Sequence, residues 1–143
     1  MAREAIIILD MSSYSNRIYD IVELFEKAGW HIGYDLACYL PVGDDDEFDY
    51  KTAALSKDEL RSIVDRKQSA GEMVGLKLYF EDTDTGITFL ADDPTNIILS
   101  LDINRKTVLS EYTDASWYIE NIIARLENCG FIAEAFDYNE VIG

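Results

Sequence analysis

The sequence predicts a single α+β domain over residues 1–143, with helices packed on a mainly antiparallel sheet in the order βαβ–α–βββ–αβ. Three patterns carry that expectation. Val74, Leu76, Leu78 and Phe80 alternate with Gly75, Lys77 and Tyr79, the period-two signature of a half-buried strand, and the turn "EDTDTG" sends the chain back antiparallel. Ile18, Ile21, Val22 and Phe25 fall at helical spacing, as do Ala115, Ile119, Ile122, Ile123, Leu126 and Cys129. Finally, "SKDE" at Ser56–Glu59 is a capping box that opens a further helix.

Taken in order, Ala5–Leu9 is an Ile-rich buried strand. Asn16–Ala28 is an amphipathic helix that turns Asp20, Glu23 and Glu26 outward and stops at Gly29. "WHIGYDLACYL", Trp30–Leu40, reads as one extended segment ending before Pro41, and an acidic loop follows. The Ser56-capped helix runs through Leu60, Ile63 and Val64 to about Gly71. Strands at Val74–Phe80, Ile87–Leu90 and Asn96–Ile103 come next, the last two separated by "ADDPT", and "NRK" turns into Val108 and Leu109. Thr113 or Asp114 caps the last helix, Gly130 ends it, and "FIAEAFDY" reads as a final strand. "FEKAGW" and "LENCGF" end the two long helices alike; a remnant duplication or simple convergence of helix-to-strand corners gives the same pattern.

Composition narrows the function classes. A chain of 143 residues, 48% hydrophobic and 28% charged, can bury a core without disulfide staples. Twenty-eight acids against twelve bases give a net charge of -16, which repels nucleic acids and anionic membranes. Residues 1–77 hold fifteen acids and nine bases; residues 78–143 hold thirteen acids and only Arg105, Lys106 and Arg125. Four bases, Lys57, Arg61, Arg66 and Lys67, share one short segment, so the surface is expected to have a mixed region and a strongly acidic one. The apolar run near the N-terminus is too short for a signal-peptide core or a membrane span, and Cys38 and Cys129 lie far apart in sequence. A cytoplasmic protein with reduced thiols is the expectation.

Known chemistries fit poorly. "IIILDMSS" resembles the first motif of haloacid-dehalogenase-like phosphatases, with Asp10 at a strand end, but Ser12 stands where a second Asp is required. "DTDTG" at Asp82–Gly86 alternates oxygen ligands as calcium loops do, yet it lacks the later ligands and serves equally as a hairpin turn. His31 is the only histidine, so multi-histidine zinc sites are impossible within one chain. No phosphate-binding glycine loop or dinucleotide fingerprint occurs, and no cofactor or resident metal is expected. A metal-dependent hydrolase remains an alternative only if two or three of Asp10, Asp44, Asp46 and Asp49 converge on one ion.

What stands out is "PVGDDDEFDYK". Asp44, Asp45, Asp46, Glu47 and Asp49 surround Phe48 and precede Tyr50, a combination of charge and rings suited to docking a basic protein. Asp82 and Asp84 add a second acidic turn. On a helical wheel Trp117 points away from the Ala115–Ile119–Ile122–Leu126 face, so it either packs under another layer or serves as an anchor for a partner. These nine residues, the acidic loop first, are the expected partner contacts.

"YTDASWYIENIIARLENCGFIAEAFDY", Tyr112–Tyr138, is similar in style to the C-terminal helix–strand unit of bacterial toxin-immunity proteins. These are the inhibitors encoded beside secreted or contact-delivered toxins, including those of contact-dependent growth inhibition. The match covers under a fifth of the chain. The resemblance implies a non-enzymatic inhibitor in a tight one-to-one complex with a basic toxin domain, such as a nuclease. A phage-type inhibitor that mimics nucleic acid would present the same surface to a different partner.

Overall fold

Which side of each strand is apolar decides where the helices go. In this computed structural model, which describes residues 3–142, β1 (Arg3–Leu9) buries Ala5, Ile7 and Leu9 and turns Glu4, Ile6 and Ile8 the other way. The same alternation runs through β5 (Val74–Phe80) and β7 (Ile97–Ile103), while β6 (Gly86–Ala91) sends Ile87, Phe89 and Ala91 into the core. Shorter strands are β2 (Trp30–His31), β3 (Ala37–Tyr39) and β4 (Lys51–Ala53), and β10 (Asp137–Ile142) closes the chain. They form one sheet in the order β10-β1-β7-β6-β5-β3-β4, with β2 also on β5, and every pairing is antiparallel. A separate hairpin pairs β8 (Thr107–Val108) with β9 (Tyr112–Thr113).

The helices all contribute to a single apolar cluster. α1 (Ile18–Lys27) inserts Ile18, Ile21, Val22 and Phe25, and α2 (Lys57–Ser69) inserts Leu60 and Val64. α3 (Ala115–Tyr118), a π-helical stretch (Ile119–Ala124) and α4 (Arg125–Asn128) run on as one, inserting Tyr118, Ile122 and Leu126. Their partners are the core-side residues of β1, β5, β6 and β7, so the helices cover one face of the sheet. Among the described residues the opposite face carries no helix. The expected fold class, α+β with helices over an antiparallel sheet, is therefore the fold.

Local chemistry explains the elements that agree and those that differ. Ser56 and Glu59 form the reciprocal capping box at α2, and the Asp114 side chain caps α3 through the Trp117 N–H. Trp30–Leu40 is not one strand: Gly33 at φ 118° breaks it into β2 and β3 and leaves Tyr34 and Leu36 exposed. The final strand begins at Asp137, opposite Ile8, and Phe131–Phe136 is unpaired. The π-helical turn holds more residues per turn than an α-helix and rotates the buried face. Ile119, expected in the core, is exposed, and Trp117 lies half-buried against the core, 5.1 Å from Phe80 and 6.2 Å from Trp30 between ring centres.

Candidate functional site: an acidic sheet end

The acidic loop follows β3, and β3 runs antiparallel to β5, so the loop emerges where β5 begins. It is folded around one carboxylate. Asp44, 8% exposed, accepts backbone N–H bonds from Glu47, Phe48 and Asp49 at 3.2, 3.0 and 2.7 Å. Burial alone raises the Asp44 carboxyl, but these three donors and the Lys67 ammonium outweigh it and hold the group below the usual carboxylate range. Phe48 takes φ 55° to make the turn. Lys67 completes the clamp from α2. Leu60, Val64 and Lys67 share the buried side of that helix, and Lys67 Nζ, fully buried, donates to the carbonyls of Pro41 at 2.8 Å and Asp44 at 2.6 Å, with Glu72 at 3.4 Å. Lys67 is thus no part of the basic surface expected around α2.

The nine expected contacts divide accordingly. Asp46, Glu47 and Asp49 are exposed, Asp49 pairing with Lys51 at 3.1 Å. Asp45 is exposed while accepting the Met73 N–H at 2.8 Å. Asp44 faces inward as the loop's organiser, and Tyr50 is half-buried beneath Lys77, whose ammonium lies 4.4 Å from the ring centre. Burial first, then the charges of Asp102, Cys38 and Asp44, push the Tyr50 phenol up to about 12. Trp117 belongs to the helix–sheet packing described above. Asp82 and Asp84 are exposed but follow the other end of β5, six residue steps or roughly 20 Å from the loop. The two acidic turns do not form one patch.

A different set of acids does join the loop. In an antiparallel sheet alternate turns share an end, and the register brings Asp137 of β10 beside Ile8, Asp10 past the end of β1, and Asp92 and Asp93 past the end of β6 to the end where the loop sits. All four are exposed, and Glu134 lines a cleft of about 270 Å³ with Asp10, Ser12, Phe131, Ile132 and Ala135. Four inter-strand steps separate β10 from β5, roughly 19 Å, so these acids are spread along most of the sheet end. On the helix side of the same end stand Arg17, paired with Asp20 and Asp65, and exposed Arg66, which lines a groove with Val42. Asp49 alone among these exposed rim acids has a basic partner within 4 Å among the described residues. Ser12 donates from its backbone and hydroxyl to Asp10 and lowers that carboxyl further, and Asp93 accepts from Thr95. Such bonds hold the groups in place without neutralising them.

The opposite end is mixed. Arg3, Arg105 and Thr113 converge on Glu140, Arg125 pairs with Glu81, and Lys106 lies over Trp117. His31 is built into this end: Gly33 N–H donates to Nδ1, which leaves Nε2 to donate to the Glu81 carbonyl at 2.7 Å. Cys38 and Cys129 are free, half-buried thiols.

Among the described residues, no three His, Cys, Asp or Glu side chains close on one point. No described helix is long and apolar enough to cross a membrane.

Gly75 ties the loop to the sheet. A Cβ there would meet Leu40 Cδ1 at 2.6 Å and the Tyr50 hydroxyl oxygen at 2.9 Å. Gly75→Ala is therefore expected to displace Tyr50 and cost about 1–3 kcal/mol, the usual penalty of overpacking. Urea unfolding measures the loss, and an unchanged midpoint would show that Leu40 and Tyr50 are free to move aside.

Comparison of the chain with protein-family models, curated proteins and solved structures gives no match.

Proposed function

We propose that the protein is a non-enzymatic immunity-type inhibitor that binds a basic toxin domain, one that handles phosphates in the manner of a nuclease, through the acidic end of its sheet. The observation behind this reading is the row of exposed acids along one sheet end, of which only Asp49 has a base within 4 Å among the described residues. Opposed to a cationic surface, it raises the encounter rate, and its field falls off within a Debye length of roughly 8 Å at physiological salt. The cleft at Asp10 and Glu134 has apolar walls in Phe131 and Ile132. That composition suits the methylene stem and charged head of a lysine or arginine. The inhibitor works in the cytoplasm of the cell that makes it, with no nucleic acid, membrane or cofactor taking part.

The structure changes which residues are clean probes. Reversing Asp44 would unravel the loop, whereas Asp46 and Glu47 are exposed and hold nothing else in place. Asp46→Lys with Glu47→Lys is expected to slow association with the basic domain encoded by the adjacent gene about tenfold. The unfolding free energy should stay within about 0.5 kcal/mol, as for ordinary surface changes. Stopped-flow mixing and urea unfolding measure the two. The proposal itself is tested by mixing this chain with that domain. A one-to-one complex and stoichiometric loss of the domain's activity are expected. An adjacent gene product that is not basic, or that neither binds nor is inhibited, overturns it.

A further inference from the structure

The helix-free face of the sheet carries an apolar row next to the acidic end. On this face Ile8 lies opposite Ile98, and Ile98 opposite Leu90, giving an apolar row across β1, β7 and β6, with Ile6 beside it on β1. None of these four side chains is fully buried. One row further from the acidic end the face turns polar. Lys77 donates to Thr88 Oγ1 at 2.7 Å, and that hydroxyl lies 2.9 Å from the Asp102 carboxylate. Leu40 and Tyr50 lap onto the face over Gly75, so the acidic loop forms its side wall.

We propose that the Ile8–Ile98–Leu90 row seats apolar side chains of the same basic domain whose cations meet the acidic rim; this rests on the inhibitor reading above. Charge names the occupant. Ile8 is two residues from Asp10, and Leu90 is two residues from Asp92, so whatever covers the row must also lie against the rim. Lys77 is the one base that β5, β6 and β7 turn to this face, and its ammonium is engaged by Thr88 and the Tyr50 ring. Arg3 and Arg105 border the face beside Ile6, away from the acidic end, and both are held by Glu140. A second copy of this chain is the wrong partner, because two chains of net charge -16 would press acidic rims together. An apolar centre bounded by a charged rim is also the ordinary anatomy of a protein interface.

The test uses Ile98→Gln and Ile8→Gln with the purified domain encoded by the adjacent gene, together with hydrogen exchange on the unaltered complex. Each variant is expected to weaken binding about tenfold or more through faster dissociation. The salt dependence of association should be unchanged, and amides of β1, β6 and β7 should be protected in the complex. Unchanged affinity in folded variants, or no protection of these strands, overturns the inference, and the rim reading stands if Asp46→Lys with Glu47→Lys still slows association. Failure of the domain to bind at all removes both. Sedimentation of the chain alone should show a monomer; a dimer dissociated by Ile98→Gln would make the face a self-interface and overturn the assignment.

Discussion

Lys67→Met is expected to cost about 3 kcal/mol of stability and to set the acidic loop free, although the residue reads as one more surface base. Its ammonium is fully buried and supplies the donors for the carbonyls of Pro41 and Asp44. Methionine fills most of the stem's volume but donates nothing, so two buried acceptors and the Glu72 carboxylate lose their partner. Leaving a buried acceptor unpaired costs about 1–3 kcal/mol, and breaking a buried ionic contact about 3–5 kcal/mol. Part of this is recovered if the loop opens to water, which is why the lower figure is expected. Urea unfolding gives the energy, and hydrogen exchange at Glu47, Phe48 and Asp49 reports whether the turn around Asp44 has loosened. A folded variant with native stability and protected loop amides would show that Asp44 alone organises the loop.

Glu140→Gln is expected to destabilise the other end of the molecule by about 2–4 kcal/mol, because one carboxylate there serves three elements. Glu140 accepts from Arg3 at 2.9 Å, from the Thr113 N–H at 3.0 Å and from the Tyr138 hydroxyl at 2.7 Å, with Arg105 3.9 Å away. It joins β1, the β8–β9 hairpin and β10. The amide retains one acceptor but removes the charge and places an NH2 among donors, so the arginines lose their counterion. Partial burial raises the Glu140 carboxyl, yet the bonds from Thr113, Tyr138 and Arg3 prevail and bring it to about 2. A carboxyl depressed on folding stabilises fully above its unfolded value, near 4.5, and that contribution fades as pH falls from there through about 2. Acid titration of stability should therefore show a descending limb between pH 4.5 and 2 that is shallower in Glu140→Gln. Equal limbs would place the acid sensitivity elsewhere.

How much of this was legible in the residues follows from how local each cause is. The Ser56–Glu59 capping box and the alternation of Val74–Phe80 are decided within a few positions, and both elements appear where the residues place them. The face of the last helix is not local in that sense. A π-helical turn at Ile119–Ala124 changes the period, so a 3.6-residue wheel puts Ile119 inside, whereas it is exposed and Tyr118 is buried; Trp117, just before that turn, is half-buried against the core. Asp44 and Asp46 look equivalent in "GDDDE", and only the folded turn shows that the first is spent on backbone donors. Lys67 continues the Leu60–Val64 spacing, a visible signal overridden by the general exposure of lysine. The rim was within reach: once β5, β6 and β7 are antiparallel neighbours, "ADDPT" must fall at the opposite end from "EDTDTG". Asp10 and Asp137 join it only through the placement of β1 between β10 and β7, a long-range pairing that no local pattern encodes.

On the inhibitor reading we propose, one end of the sheet, not acidity in general, meets the cationic partner. The most direct measurement is the association rate of the adjacent gene's domain with two charge-reversed variants across a salt series. One variant carries Asp10→Lys, Asp46→Lys and Asp92→Lys at the rim; the other carries Asp82→Lys and Asp84→Lys at the mixed end. We predict a rate that falls steeply with ionic strength in the unaltered protein, drops about 10- to 100-fold in the rim variant and changes less than about threefold in the other. Equal slowing by the two variants, or a rate indifferent to salt, would show that the acidic end is not where the partner docks.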